Sequence, residues 1–157
     1  MRVAVACDHA GFPLKAVVVA ELKAAGHDVV DLGTHDDSAV DYPDFAKALG
    51  EQISGGAAER GVLLCGSGVG ASVAANKVPG VRAAMCHDTF SARQGVEDDD
   101  MNVLCLGARI IGPELAKEVV RAFERAQFSD LERHQRRLNK VLAIEAEYTC
   151  KGASPDD

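Results

Sequence analysis

Aromatic residues are scarce in this chain, which has no tryptophan, two tyrosines and five phenylalanines among its 157 residues. This scarcity argues against a site that stacks a flavin or nicotinamide ring on aromatic side chains. The glycines at positions 66, 68 and 70 follow the spacing G-x-G-x-G, which departs from the G-x-G-x-x-G pattern of dinucleotide-binding loops. No cofactor is therefore expected, and a nucleotide-binding, flavodoxin-like module is the weaker interpretation of the chain.

Long apolar runs are also absent. None approaches the roughly 18 residues that a membrane-spanning helix needs. The amino-terminal apolar run is too short for a signal peptide and meets Asp8 and His9 too soon. We therefore expect no membrane association.

Positive charge is in deficit, since the formal net charge is -7 and the pI is about 5.2. This balance leaves no broad basic surface for nucleic acid. Basic residues gather only in "ERHQRRLNK", residues 132–140. Taken alone, such a cluster is more typical of a solvated helix face, and a local anion site is the alternative.

The five cysteines form no CxxC pair and no zinc-ligand spacing, so no metal site is predicted. Their odd number, without a signal peptide, indicates reduced thiols in a cytoplasmic protein. Four of them lie in or at the end of apolar runs, where a buried small hydrophobe is the usual role: Cys7, Cys65, Cys86 and Cys105.

Short apolar runs alternate with helical patterns along the whole chain. Strands are predicted at 2–7, 27–33, 60–66, 81–88 and 102–109. Helical patterns occupy 12–26, 41–56, 69–78, 112–127 and 131–148, while 89–100 reads as helix or loop. Strands made almost wholly of Val, Ala, Leu and Cys predict a parallel sheet covered on both faces. We expect a doubly wound, Rossmann-like α/β fold with five strands and an extra C-terminal helix, one domain over residues 1–147 and a disordered tail at 148–157.

Ligands of such sheets bind beyond the carboxyl ends of the strands. This rule gathers four short segments at one edge: 7–9, 65–70, 87–88 and 107–109. In the stretch "CGSGVG", Cys65 ends a strand and the glycines lead into a helix. The glycines alone fit a tight turn or an anion cradle equally well. A thiol beside a helix N-terminus can have a lowered pKa, and it could then attack a carbon or remove a proton.

Several segments, in the same order, resemble the ribose-5-phosphate isomerase type B family, which includes the galactose-6-phosphate isomerase subunits. The resemblance runs over roughly residues 1 to 147. It is carried by "ACDHAGFPLK", "DYPDFA", "GVLLCGSGVGASVAANKVPGVRAA", "SARQGVEDDDMNVLCLGAR" and "ERHQRRL".

The resemblance implies a metal-free aldose–ketose isomerase that works through an enediolate. It makes Cys65 the base and Ser67 a contact to substrate oxygens. The substrate-binding residues that it implies are Asp8, His9, Asn102 and the loop amides of Gly66, Gly68, Val69 and Gly70. Arg109, Arg133, His134 and Arg137 match residues that bind the substrate phosphate. Because some of these come from the partner subunit in the family, we expect a homodimer or tetramer with shared active sites.

One position departs from the family. Asp98 stands where the family commonly has the His that opens the sugar ring, and an ordinary carboxylate is a poor proton donor at neutral pH. Three interpretations follow: slower ring opening of ribose 5-phosphate, preference for a four-carbon sugar phosphate, or another sugar whose open form is supplied differently. Asp98 can also be simply part of a solvated acidic loop, with His87 as the other residue available for ring opening. A non-catalytic sugar-phosphate binding subunit is a further alternative, against which the presence of Cys65 argues.

Overall fold

Five parallel strands form the centre of the computed structural model, which describes residues 1–150. Their order in the sheet is β2-β1-β3-β5-β4. The predicted five-stranded, doubly wound α/β fold is confirmed. The strands are β1 (Arg2–Cys7), β2 (Asp28–Asp31), β3 (Arg60–Cys65), β4 (Ala83–Met85) and β5 (Val103–Gly107).

Residues 1–150 form six helices, of which the first five pack around the sheet. The segment that the sequence left as helix or loop is helical as α4, because the Asp88 carboxylate accepts the Ser91 amide at 2.7 Å and caps its first turn. The helices are α1 (Phe12–Ala24), α2 (Tyr42–Ser54), α3 (Val69–Ala75), α4 (Thr89–Asp99), α5 (Pro113–Arg125) and α6 (Glu132–Cys150).

Two apolar layers pack on the two faces of the sheet. Along β1, Val3 and Val5 point into the layer formed by α1, α4 and α5, while Ala4 and Ala6 point into the layer of α2 and α3. Alternation along a strand sends neighbouring side chains to opposite faces, so a strand buried on both sides must be apolar throughout. This explains why the strands carry no polar alternation.

The last helix, α6, lies outside this double layer and packs against α4. His134 and Leu138 are its buried side chains. The helix passes the predicted domain end at residue 147 and reaches Cys150. The predicted tail is therefore helical at its start, and its remainder, residues 151–157, lies outside the described residues. Within residues 1–150, no helix combines the length and apolar composition that crossing a bilayer requires.

Candidate active site

Cys65 is the last residue of β3, at the carboxyl edge of the sheet. It lies opposite Gly107 in β5, and the neighbouring Leu64 lies opposite Cys7 in β1. Its thiol is nearly buried, with 8% exposure. The thiol donates a hydrogen bond to Oδ2 of Asp8, 3.2 Å away. Three adjacent strand ends therefore bring a thiol and a carboxylate into direct contact.

The environment of Cys65 keeps its thiol protonated in the free protein. Burial raises the pKa of Cys65, and the hydrogen bond to Asp8 raises it further. The backbone amides of Gly68 and Gly66 face the sulfur and act in the opposite direction, but they do not prevail. The sequence-based expectation of a lowered thiol pKa was therefore wrong, because the desolvated site and the nearby carboxylate outweigh the amides. Cys65 needs a partner that takes its proton before it can act as a base.

The glycine loop turns the chain from β3 into α3. Gly68 has φ of 84°, a left-handed conformation that glycine adopts at no steric cost. This turn carries the amides of Gly66 and Gly68 toward the sulfur. The exposed Ser67 hydroxyl accepts the amide of Val69 at 3.3 Å, and Gly70 follows within the first turn of α3. The loop has the amide-lined form that a developing negative charge on a substrate oxygen requires.

Asp8 and His9 follow β1 and are both held by backbone groups. Asp8 is buried, and its Oδ1 accepts the amide of Gly11 at 2.8 Å, which leaves Oδ2 for the thiol. The Nδ1 atom of His9 lies 3.2 Å from both the amide nitrogen and the carbonyl oxygen of Val40. Of the two predicted substrate-binding side chains, Asp8 contacts Cys65 directly and His9 is held against the backbone of Val40.

Arg109 reaches the same edge from the turn after β5. Its amide donates to the carbonyl of Gly66 at 3.0 Å, and its side chain runs beside Gly66. The structure also adds Tyr42, whose ring lies against Gly70 so closely that a Cβ there would approach it to 2.8 Å. Sequence reasoning did not assign Tyr42 a role. The only sequence signal for it was its place in the motif "DYPDFA".

A second cluster lies around the start of α6. The Nδ1 atom of His134 is 2.6 Å from the Ser129 hydroxyl and 3.4 Å from Oδ1 of Asp98. Asp98 also accepts the side-chain amide of Gln94 at 2.9 Å. Arg133 and Arg137 are exposed beside this cluster, on the first turns of α6.

The two clusters lie at opposite ends of the strands. Cys65 is at the carboxyl ends, and Asp98 and the start of α6 are at the amino ends. Chain direction alone requires this, because α4 and α5 run back from the carboxyl edge to the amino edge before Asp98 and α6 are reached. The five residues of β5 span about 16 Å at roughly 3.3 Å per residue. One chain therefore does not bring Asp98, Arg133, His134 and Arg137 to its own Cys65.

Asn102 is not brought to Cys65 either. It precedes β5 at the amino edge, where its Nδ2 donates to the carbonyl of Gly80 and its Oδ1 accepts the amide of Arg82, both at 2.8 Å. These bonds occupy the amide group in fixing the loop before β4. A sugar-binding role for Asn102 thus has no support from the geometry of its own chain.

Among residues 1–150, His, Cys, Asp and Glu side chains form no cluster of three or more that could hold a metal ion.

Comparison with known proteins identifies relatives along nearly the whole chain. The family described as Ribose/Galactose Isomerase matches residues 3–141. Ribose-5-phosphate isomerase B of Escherichia coli is 43% identical over 144 residues, which cover 92% of this chain and 96% of that protein. The D-erythrulose-4-phosphate isomerase of Pectobacterium atrosepticum is 42% identical over 130 residues, covering 82% and 85% of the two chains.

The solved structure of Clostridium thermocellum ribose-5-phosphate isomerase B superposes with a TM-score of 0.91 at 42% identity, covering 94% of this chain and 99% of that one. These similarities, together with the fold, confirm the predicted class of enzyme, an aldose–ketose isomerase. The chain belongs to the Ribose/Galactose Isomerase family.

Proposed function

We propose that the protein interconverts ribose 5-phosphate and ribulose 5-phosphate by proton transfer through an enediolate, with Cys65 as the base. The observation that carries this proposal is the contact of the Cys65 thiol with Asp8, beneath the amides of Gly66 and Gly68. Relatives named for this substrate, at 42 to 43% identity, support it.

The raised pKa of Cys65 gives Asp8 a specific part in the proposed reaction. Asp8 accepts the thiol proton, and the resulting thiolate takes the proton from C2 of the aldose. The electron pair left on C2 forms the enediolate, whose charged oxygen is stabilised by the loop amides. The same sulfur returns the proton to C1, and the hydroxyl proton on O2 passes to O1, which yields the ketose. Asp8 then gives the thiol proton back to the sulfur, so neither the substrate nor the enzyme gains or loses a proton.

The phosphate end of the substrate needs cations. Arg109 is beside the loop already, and we propose that Arg133 and Arg137, assisted by His134, reach the same site from a second chain. Arginines bind phosphate through paired N–H donors. The separation of the two clusters across the sheet supports a site shared between two copies.

Exposed apolar side chains on both clusters support the same association. Around the loop containing Cys65 they are Val69, Val73, Met85, Phe90 and Ile110, each at least 41% exposed. Along the α6 segment a groove of about 840 Å³ is bordered by Val141, Leu142, Ile144 and Tyr148. Apolar patches of this kind on one chain are typical of surfaces that a partner covers. We propose a homodimer, or a tetramer built from two such dimers.

Substrate profiling tests the activity directly. The purified protein is incubated with ribose 5-phosphate, erythrose 4-phosphate, galactose 6-phosphate and ribose, and ketose formation is followed by NMR. Ribulose 5-phosphate should form, and ribose should react much more slowly because it lacks the phosphate. Ketose formation from none of the four would contradict the proposal and favour a non-catalytic binding subunit.

Asp98 favours a second candidate, isomerisation of a four-carbon sugar phosphate. Asp98 stands where the family commonly has the ring-opening His, and its side chain accepts a hydrogen bond from Gln94 and lies 3.4 Å from Nδ1 of His134. A tetrose phosphate cannot close the usual ring through its phosphorylated end, so it needs no ring-opening acid. The erythrulose-4-phosphate isomerase among the relatives agrees with this possibility. In the profile above, faster turnover of erythrose 4-phosphate than of ribose 5-phosphate would select it.

We further propose that the enzyme works in a reducing, cytoplasmic compartment. The thiols of Cys7, Cys65, Cys86 and Cys105 are all free, which supports this assignment.

A further inference from the structure

The backbone amide of Gly107, at the end of β5, donates its hydrogen bond to the side chain of His87. In a regular sheet it would donate to a backbone carbonyl of the neighbouring strand. β4 ends at Met85, and the last regular bond between the two strands joins the Cys86 amide to the Cys105 carbonyl at 3.3 Å. Continued parallel pairing would present a backbone carbonyl of the neighbouring strand to Gly107. The chain turns away instead, and Nε2 of His87 accepts the Gly107 amide at 2.9 Å.

The end of β5 that His87 holds is joined to the catalytic loop. Gly107 pairs with Cys65, and the Ala108 amide donates to the Cys65 carbonyl at 2.8 Å. The fit is close, since a Cβ on Gly107 would lie 2.6 Å from the carbonyl oxygen of Ser67. A shift of Gly107 would therefore be transmitted to the loop that carries Cys65 and Ser67.

The bond also fixes the chemical form of His87. A backbone amide can only donate, so Nε2 must be the unprotonated acceptor, and the neutral ring carries its hydrogen on Nδ1. Nε2 therefore has no proton to give while this bond is made. His87 is, for that reason, an unsuitable replacement for a ring-opening acid through this atom.

We infer that His87 is a positioning residue for the isomerase reaction: it completes the β5 ladder at Gly107 and thereby fixes the loop that carries Cys65 and its facing amides. The inference rests on the proposed function. His87 acts through backbone contacts and does not itself need to touch the substrate. A residue of this kind is expected to affect kcat more than KM, because it determines where the base and the amides lie in the transition state.

Two substitutions separate positioning from mere support of the fold. His87→Leu removes the acceptor, and we expect kcat per folded molecule to fall about 10- to 100-fold, with a smaller change in KM. His87→Gln places an amide oxygen near the position of Nε2, and it should restore most of the lost activity. Thr89→Ala is the matched control, since Thr89 is an exposed neighbour in the same segment, and it should behave like the original protein.

The outcomes are decisive in each case. Unchanged kcat in folded His87→Leu, or an equal loss in His87→Gln and His87→Leu, overturns the inference. If His87→Leu does not fold, ¹⁵N NMR of the histidine rings in the unmodified protein decides: hydrogen on Nδ1 supports the bond, and hydrogen on Nε2 refutes it. Lack of isomerase activity in the unmodified protein would instead refute the proposed function, while the NMR result would still report on the bond.

Discussion

At the scale of the residue, the proposed base, Cys65, is a thiol that is not ionised in the free protein. Burial and the Asp8 contact raise the pKa of Cys65, so the free protein holds a neutral thiol hydrogen-bonded to a carboxylate. Such a pair keeps the proton beside the group that is proposed to accept it, Asp8. It also protects Cys65 from oxidation, because the thiolate is the reactive form.

Replacement of Cys65 tests its role as the base. Cys65→Ala should lower kcat by about 10²- to 10⁴-fold, the usual contribution of a general base, and should abolish deuterium uptake from solvent at the substrate carbon. Substrate binding, measured by calorimetry, should persist. Cys7→Ala is the control, since Cys7 is a buried thiol outside the loop and should retain activity. Near-normal turnover in Cys65→Ala would assign the base elsewhere.

The basic residues of α6 differ in their expected contributions. Arg137→Ala should raise KM for a phosphorylated sugar about 10- to 150-fold, because charge-assisted hydrogen bonds contribute roughly 1.5–3 kcal/mol. Arg133→Ala should act similarly. Arg136→Ala is the matched control, as Arg136 is exposed and its nearest acid, Glu132, lies 3.9 Å away on the same helix. An equal loss with an unphosphorylated sugar would show that Arg133 and Arg137 serve the fold.

Asp98 can be tested with two substrates at once. A histidine alternates between proton donor and acceptor near neutral pH, whereas an ordinary carboxylate does not. Asp98→His should therefore speed turnover of ribose 5-phosphate and leave that of a tetrose phosphate nearly unchanged. Asp98→Asn controls for the loss of charge beside His134. Equal changes with both substrates would mean that Asp98 has no part in ring opening.

At the scale of the element, the cysteines within and after the strands link stability to pH. Burial raises the pKa of Cys7 and of Cys86 to about 11, from 9.0 for an exposed thiol. Between these values the folded chain keeps protons that the unfolded chain has lost. Stability is therefore full below about pH 9 and is lost as the pH rises toward 11, by up to about 1.4 kcal/mol per pH unit for each thiol.

Urea unfolding at pH 8, 9, 10 and 11, under reducing conditions, measures this loss. Lysine and tyrosine ionise in the same range, so the comparison that matters is between proteins. Cys86→Ala should reduce the slope of unfolding free energy against pH, even though it also lowers stability by removing a buried side chain. Parallel slopes in the two proteins would contradict the prediction.

The strands were predicted well from the sequence because their continuous apolar runs are a strong local signal of burial on both faces. Apolar runs such as β1 and β3 must be buried on both faces, which predicted a parallel sheet covered by helices. In such a sheet the segments after β1 and β3 lie together at the carboxyl ends of the strands, where Asp8 and Cys65 meet. Other features depend on contacts that no local pattern contains. The proximity of Asp98 and His134 requires α4 and α6 to pack together, and the engagement of Asn102 by Gly80 and Arg82 follows only from the loop before β4.

At the scale of the whole molecule, the proposed shared site would take one half from each of two chains. The thiol, its carboxylate and the amide-lined loop lie at the carboxyl edge of the sheet, and the predicted phosphate-binding cluster lies at the other edge. Both halves carry exposed apolar side chains. A second copy related by two-fold symmetry would join each half to its complement and form two equivalent sites. The composition and spacing of the residues do not specify which chain supplies each group. At the level of the sequence, only the family resemblance implied a shared site.

Complementation between two defective chains, assayed at a substrate concentration well below the KM of the original protein, tests the shared site. In a mixed dimer of Cys65→Ala and Arg137→Ala chains, one site carries both defects and the other carries neither. Random mixing should therefore restore about a quarter of normal activity, since half of the dimers are mixed and half of their sites are intact. Mixing Cys65→Ala with Asp8→Asn is the control. Both defects then lie in the same half, every mixed site carries one of them, and activity should stay low. No recovery in either mixture, or a fully active monomer in sedimentation, would show that each chain builds its site alone.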